Sequence, residues 1–266
     1  MLVPEEFNLA VFIKRLSEII NKFTYEYLSR HDINDAKKYL HHNENVNSVL
    51  KNNQEVEGSL IKLKSLKLFP HPDRPKNWDA LRAFSFILNK ADIDSKVLDV
   101  GSAGYGIILP WLELYGFSEL YGCDIVFEKD FKRGKIKYSR QDLQKTNFPA
   151  DYFDFVTSIS VIEHGVNPGS YFKEMFRILK KGGYLLTSTD YWPQKIDTKG
   201  LYPYGKDLGE MKIFDKAEVA GLLKTAEKSG FGLVSPMDFT SKDKVVDWKR
   251  VNKQYSFIFF ALEKVS

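Results

Sequence analysis

Cysteine is almost absent: Cys123 stands alone among 266 residues. That excludes a disulfide framework and a multi-cysteine zinc site, and it makes the reducing cytoplasm the expected location. Long apolar runs are missing too. None approaches the ~20 residues of a bilayer-spanning helix. The start, Met1-Leu-Val-Pro-Glu-Glu, lacks the basic and apolar regions of a secretory leader, so no membrane partner is expected. Charge of one sign is also scarce. The formal net charge is +4, and the densest basic stretch, residues 129–140, is broken by acids and aromatics. It reads as a solvated surface, and no nucleic-acid partner is expected. His41 and His42 have no acid at a metal-site offset, so no metal is expected. No internal repeat or low-complexity tract is visible. Apolar side chains are plentiful: 43% of residues are hydrophobic and 14% aromatic, enough for a sizeable core and an aromatic-lined pocket.

The most informative stretch is Lys-Val-Leu-Asp-Val-Gly-Ser-Ala-Gly-Tyr-Gly, residues 96–106. A β-branched apolar run meets a glycine-rich turn, and residues 107–115 then form an amphipathic segment. This is a strand, a tight loop and a helix start, the opening unit of a nucleotide-binding α/β fold. Glycines allow positive φ and close backbone approach to a ligand, and free amides at the helix start face a polar group. The spacing narrows the ligand. Gly101, Gly104 and Gly106 give G-x-x-G-x-G, which is not the dinucleotide pattern G-x-G-x-x-G. No Lys-Ser/Thr pair follows, so the turn is not a P-loop. Asp99 would repel a pyrophosphate and suits a ligand carrying an ammonium group.

Around this unit, residues 4–28 read as an amphipathic helix and residues 46–68 hold a further helical pattern. A proline-punctuated linker, residues 69–75, marks a boundary between an N-terminal helical extension or lid, residues 1–75, and a nucleotide-binding domain, residues 76–266. Asn77 is read as the N-cap of a helix through Asn89. Five apolar strands follow, beginning at Lys96, Leu120, Ile136, Phe155 and Tyr184. A helix over residues 168–179 precedes the fifth. Asp215 caps another helix. A sixth strand is expected over residues 230–239 and a seventh over 255–262. Asp124 ends the second strand about 25 residues after Asp99, near the interval at which an acid accepts ribose hydroxyls. Its two oxygens suit a cis diol. Glu163 and His164 follow the fourth strand at its carboxyl end, where open α/β sheets bind ligands. His164 has an ordinary pKa of ~6.5, suited to taking a proton from an acceptor.

These motifs resemble class I S-adenosylmethionine-dependent methyltransferases. The family's first motif is D-x-G-x-G-x-G after an apolar strand. Ala103 stands at its second glycine, and Gly104 and Gly106 are displaced by one. The run Glu174-Met-Phe-Arg-Ile-Leu-Lys-Lys-Gly-Gly-Tyr-Leu resembles the family's helix-Leu-Lys-Pro-Gly-Gly-strand segment, with Lys181 for proline. The resemblance covers residues 77–262. It implies a Rossmann-like, doubly wound, seven-stranded, mostly parallel sheet with helices on both faces and the last strand antiparallel. It also implies S-adenosylmethionine as cofactor and S-adenosylhomocysteine as product. The cofactor-binding residues it implies are Asp99, Gly101, Ser102, Ala103 and Gly104 at the corner, and Asp124 with Ile125 at the ribose. Asp142 and Leu143 would hold the adenine, and Ser158 and Ser160 would leave room for the methionine part. Candidates for the chemistry are His164 first, then Asp190, with Tyr191 as a positioning group. The expected acceptor is a small molecule or saccharide, methylated on oxygen or nitrogen by a monomer or homodimer. The 1–75 helices would lid the pocket, and the aromatic loop with Tyr191, Trp192, Tyr202 and Tyr204 would form the opposite wall. The alternatives are a non-catalytic cofactor-binding scaffold, an NAD-dependent oxidoreductase of similar fold, and an RNA methylase.

Overall fold

The structure is a computed structural model that describes residues 31–38, 40, 45–203, 205, 206 and 209–265. The expected helix over residues 4–28 lies outside them, as do His41, His42 and Tyr204.

Along the described chain the elements are α1 (Ile33–Lys37), β1 (Ser48–Val49), α2 (Asn53–Ser65), α3 (Lys76–Lys90), β2 (Val97–Val100) and α4 (Ile108–Leu114). Then come β3 (Leu120–Asp124), β4 (Phe131–Arg133), β5 (Ile136–Arg140), β6 (Phe153–Ile159), α5 (Pro168–Ile178) and β7 (Leu179–Tyr191). The chain finishes with α6 (Lys216–Lys228), β8 (Phe231–Leu233), β9 (Val246–Trp248) and β10 (Lys253–Lys264). Among the described residues the sheet has ten strands in the order β1-β10-β7-β6-β2-β3-β5-β4, with β8 and β9 both pairing β10. Five neighbours, β5-β3-β2-β6-β7, are parallel, and β10 runs antiparallel to β7. The seven expected strands are β2, β3, β5, β6, β7, β8 and β10. The other three are short additions at the edges.

Alternation along the strands sorts side chains to two faces. Val97, Phe155, Leu186 and Phe259 point to one core with α2, α3 and α4. Leu98, Val156, Leu185 and Phe260 point to the other, with α5 and α6. Helices on both faces of a parallel sheet make the doubly wound layering. The strand order reverses at β2, whose neighbours β3 and β6 lie on opposite sides. That switch point opens a crevice at the carboxyl ends of the strands.

Some expected boundaries differ. Residues 46–52 are not helical. Asn47 is pinned by its side chain, donating to the Ser235 carbonyl at 2.6 Å and accepting from the Ala261 amide at 2.7 Å, so β1 adds to the sheet edge. Helix α2 starts only after Asn52, whose side chain accepts from the Glu55 amide. Asn77 does not cap α3. It is fully buried, accepts from the His71 amide at 2.7 Å and donates to the His71 and Arg74 carbonyls at 3.0 Å each. It therefore fastens the proline-rich linker to the first turn of α3. The sixth strand is short, Phe231–Leu233, because Ser235 and Pro236 are engaged by Asn47 and Asn45 from the other end of the chain.

Candidate active site

A cleft of about 1040 Å³ lies over the carboxyl ends of β2, β3, β6 and β7. At one end is the glycine corner. Gly101 has φ +67°, and a Cβ there would lie 2.5 Å from Val161 Cγ2, so no larger residue fits. Ala103 also has positive φ, +44°. This left-handed turn points its amide at Asp124 Oδ2, 2.9 Å away. The Val126 amide reaches Asp124 Oδ1 at 3.0 Å. Both carboxylate oxygens are thus fixed by backbone donors while the group still faces the cleft, an arrangement suited to accepting two hydroxyls at once. Asp142, after β5, is set similarly: its Oδ1 accepts from the Gln144 amide at 2.9 Å.

Asp99 sits deeper. It is buried, and Thr157 Oγ1 donates to it at 2.6 Å. Burial pushes its pKa up to about 7 despite that bond, with Asp124 adding in the same direction. The Ser102 and Ser160 hydroxyls are buried and line the cleft, and neither has a hydrogen-bond partner among the described residues. Ser160 has φ +53°. A strained residue with an unsatisfied hydroxyl facing a cavity is a common mark of a ligand site.

The other end is assembled from distant parts of the chain. His164 lies after β6, its Nε2 3.9 Å from Glu163 Oε1. Burial lowers its pKa, so the imidazole is neutral near pH 7. Glu163 is itself buried and accepts from Thr189 Oγ1 at 2.9 Å. Asp190 ends β7 beside the cleft and bonds the Tyr255 hydroxyl on β10. Burial and neighbouring Glu163 raise its pKa well above the usual carboxylate range. Lys76, on the first turn of α3, is half-buried, with its ammonium 5.0 Å from the centre of the Phe257 ring. Burial alone would make it less basic; Asp79, Asp190, Glu163 and Asp73 outweigh that and raise its pKa. Trp248, Tyr255 and Phe257 give this end an aromatic wall.

The cleft brings together Asp99, Gly101, Ser102, Ala103, Asp124, Ile125, Asp142, Leu143, Ser160, His164 and Asp190. Three expected residues do not line it. Gly104 faces the other way, its carbonyl accepting from Arg133 Nη1 at 2.8 Å. Ser158 and Tyr191 are fully buried. Each falls one residue out of phase with the cleft side of its strand, so each points into the layer packed by α5 and α6. Tyr191 therefore lies in the core and not in the cleft lining. Of the aromatic loop, Trp192 packs against the core and Tyr202 is exposed, while Lys206 and Gly209 line the cleft; the aromatic wall comes from β9 and β10. Lys76, Tyr255 and Trp248 were not foreseen. Lys76 precedes a residue read as a cap, and Tyr255 sits in an almost wholly apolar run.

A family model described as a methyltransferase domain matches residues 67–235 of this chain. The chain belongs to the S-adenosylmethionine-dependent methyltransferases. S-adenosylmethionine is the cofactor of that family. Among curated relatives, sterol 24-C-methyltransferase erg6 of Aspergillus fumigatus is 26% identical over 169 residues, 58% of this chain and 44% of that protein. The sterol 24-C-methyltransferase of Debaryomyces hansenii is 26% identical over 186 residues, 61% of this chain and 47% of its own length. The methyltransferase chain thus spans about half the length of the curated relatives it matches. Among solved structures, phosphoethanolamine N-methyltransferase 2 of Haemonchus contortus superimposes with a TM-score of 0.51 at 15% identity. It covers 80% of this chain and 58% of that one, and shows a shared fold. Among the described residues no helix is long and apolar enough to cross a membrane, and no group of three or more metal-binding side chains occurs.

Proposed function

We propose that this methyltransferase transfers a methyl group from S-adenosylmethionine to a small-molecule acceptor, on oxygen or nitrogen. The observation that carries the reading is the convergence of Asp99, Asp124 and Asp142 from three successive strand ends on one cleft. That set of acceptors suits an uncharged adenosine and a cationic amino acid; a pyrophosphate would meet three acids. Asp124, held by the Ala103 and Val126 amides, faces the ribose diol in this reading. Asp142 and Leu143 take the adenine edge and ring. Asp99 takes the ammonium, and the free Ser102 and Ser160 hydroxyls meet the methionine part.

The bound cofactor supplies a methyl carbon that is already activated by a positive sulfur. The chain has therefore to align the acceptor and, where needed, remove a proton. His164 is neutral and half-buried, so its imidazole suits the general base. Asp190 is the second candidate. His71, Asp73 and Pro75 reach the cleft mouth, which supports residues 1–75 as its cover and residues 76–266 as the cofactor-binding part. The curated relatives are named for a sterol, in keeping with a small-molecule acceptor; nothing in the lining singles out a saccharide.

Calorimetric titration tests the reading. S-adenosylhomocysteine is expected to bind and NAD not to. Asp124→Ala should weaken S-adenosylhomocysteine by the ~1.5–3 kcal/mol of a charge-assisted hydrogen bond. Equal or better NAD binding overturns the assignment, and unchanged affinity in the variant clears Asp124.

A further inference from the structure

The chain carries a net charge of +4, yet its cleft is lined by seven carboxylates and two lysines. Three of the seven, Asp99, Asp124 and Asp142, belong to the cofactor end. The imbalance persists at the other end. There Asp73, Glu163, Asp190 and Asp247 line the wall against Lys76 and Lys206, and buried Asp79 lies behind them, bonded to Ser188 at 2.7 Å. Lys76 carries the ammonium on which Asp73, Asp79, Glu163 and Asp190 act. It makes no ion pair within 4 Å among the described residues; its close contact is the ring of Phe257. His164 is kept neutral by burial.

Two independent features therefore favour positive charge at this end. One is the excess of carboxylates over cations in a partly desolvated cavity. The other is the aromatic wall of Trp248, Tyr255 and Phe257, on which a cation already rests. Ile107, Ile108, Val245 and Val246 add apolar lining. Resting on the methyltransferase reading above, we infer that the acceptor is an amine on an apolar body, bound as its ammonium with the head among Glu163, Asp190 and the aromatic wall.

The electrostatics agree. Asp79 and Asp190 hold protons to unusually high pH, and Lys76 stays protonated against the cost of burial. Burial is the largest cause at both acids, with neighbouring Glu163 adding to it, and at Lys76 the neighbouring acids outweigh burial. A ligand ammonium supplies what those protons supply and releases them. An anionic acceptor, a phosphate ester or a carboxylate, would meet the same field with the wrong sign. For transfer, the ammonium gives one proton to neutral His164. The nitrogen lone pair then forms the new N–C bond as the C–S bond breaks. The bonding pair stays on sulfur, so the sulfonium becomes a neutral thioether and the product is a methylated ammonium.

Three probes of one skeleton separate the charge from the body: 3-phenylpropylamine, 3-phenylpropan-1-ol and 3-phenylpropanoate. Binding is measured at pH 7.5 by calorimetry on protein loaded with S-adenosylhomocysteine. Titration of that product alone comes first; its failure to bind would sink the cofactor reading before the acceptor is tested. The amine is expected to bind at least ten-fold tighter than the alcohol, and the carboxylate weakest. Glu163→Gln and Asp190→Asn should each shrink the amine's advantage over the alcohol to under three-fold. Lys76→Met should widen it. The wild-type ranking stands as a test even if a variant does not fold. Alcohol or carboxylate binding as tightly as the amine, or no amine binding, overturns the inference.

Discussion

The two ends of the cleft are built by different means. At the corner end, Asp124 and Asp142 are set by backbone amides, and deeper Asp99 by the Thr157 hydroxyl. Asp124 is held by amides two residues after it and 21 residues before it, and Asp142 by an amide two residues on. At the other end, Lys76, Glu163, Asp190 and Tyr255 come from α3, the turn after β6, the end of β7 and the start of β10. Side-chain partners dominate there: Ser188 for nearby Asp79, which also accepts from the Ala80 amide, Thr189 for Glu163, and Tyr255 for Asp190. Backbone-built sites resist side-chain substitution around them. Side-chain-built sites can be retuned by one change. The first suits a cofactor that stays the same, and the second an acceptor that differs between relatives.

The corner breaks most severely at Gly101. Valine there would take a β-branched residue to φ +67° and drive its Cβ to 2.5 Å from Val161 Cγ2. Left-handed strain of about 1–2 kcal/mol and overpacking of about 1–3 kcal/mol add to a loss of roughly 2–5 kcal/mol in stability. Urea unfolding measures it. A Gly101→Ala, Val161→Ala double variant should recover the overpacking part and leave the strain, because the two residues touch. Loss of less than 1 kcal/mol in Gly101→Val would mean that the turn does not depend on its glycine.

Acid titration separates the ends next. Asp99 has its pKa at about 7 and Asp79 at about 6, both raised chiefly by burial. Their unfolded values lie near 3.9. The folded state therefore binds protons that the unfolded state releases above pH ~4. Their contribution is full below that pH and fades as pH rises through 6 for Asp79 and 7 for Asp99. The Asp99 shift of about three units corresponds to ~4 kcal/mol, and water in the cleft should reduce what is realised to about 2 kcal/mol. Asp99→Asn is thus expected to match the wild type near pH 4 and to exceed it by about 2 kcal/mol at pH 8, without ligand. Cofactor affinity should move the opposite way, at least ten-fold weaker. Thermal unfolding across pH 4–8 and calorimetry give the two readings. A variant less stable at pH 8 would show that Asp99 is ionised and satisfied in the fold.

This division explains what the sequence disclosed. The corner, Asp124 and Asp142 were legible because their geometry follows from short spacings: a strand, a turn that needs positive φ, an acid at the next strand end. The parallel sheet was legible from apolar runs alternating with helices. Ser158 and Tyr191 were misplaced because the sequence gives the strand but not its phase, and one residue of phase sends a side chain to the opposite face. Asn77 looked like a cap because capping residues are common before apolar periodicity, whereas its partners are carbonyls of the linker behind it. Lys76 and Tyr255 carry no local signal. Their role arises from packing α3 and β10 against β7, a contact between segments more than 60 residues apart.

The smallest change tests the side-chain-built end most narrowly. Tyr255→Phe keeps the ring in the aromatic wall and removes only the hydroxyl bonded to Asp190. One hydrogen bond in a buried pair is worth about 0.5–1.5 kcal/mol of stability. S-adenosylhomocysteine affinity should stay within two-fold, because the carboxylates that act on Tyr255, Asp190, Glu163 and Asp73, lie at the other end. The hydroxyl stabilises the ionised form of Asp190, so its removal raises that carboxyl's pKa further. If Asp190 takes the acceptor proton, the acid limb of the kcat/KM profile must move to higher pH in the variant. If His164 takes it, that limb stays where it is and only the amplitude falls. The same pair of profiles therefore decides between the two bases without changing either of them.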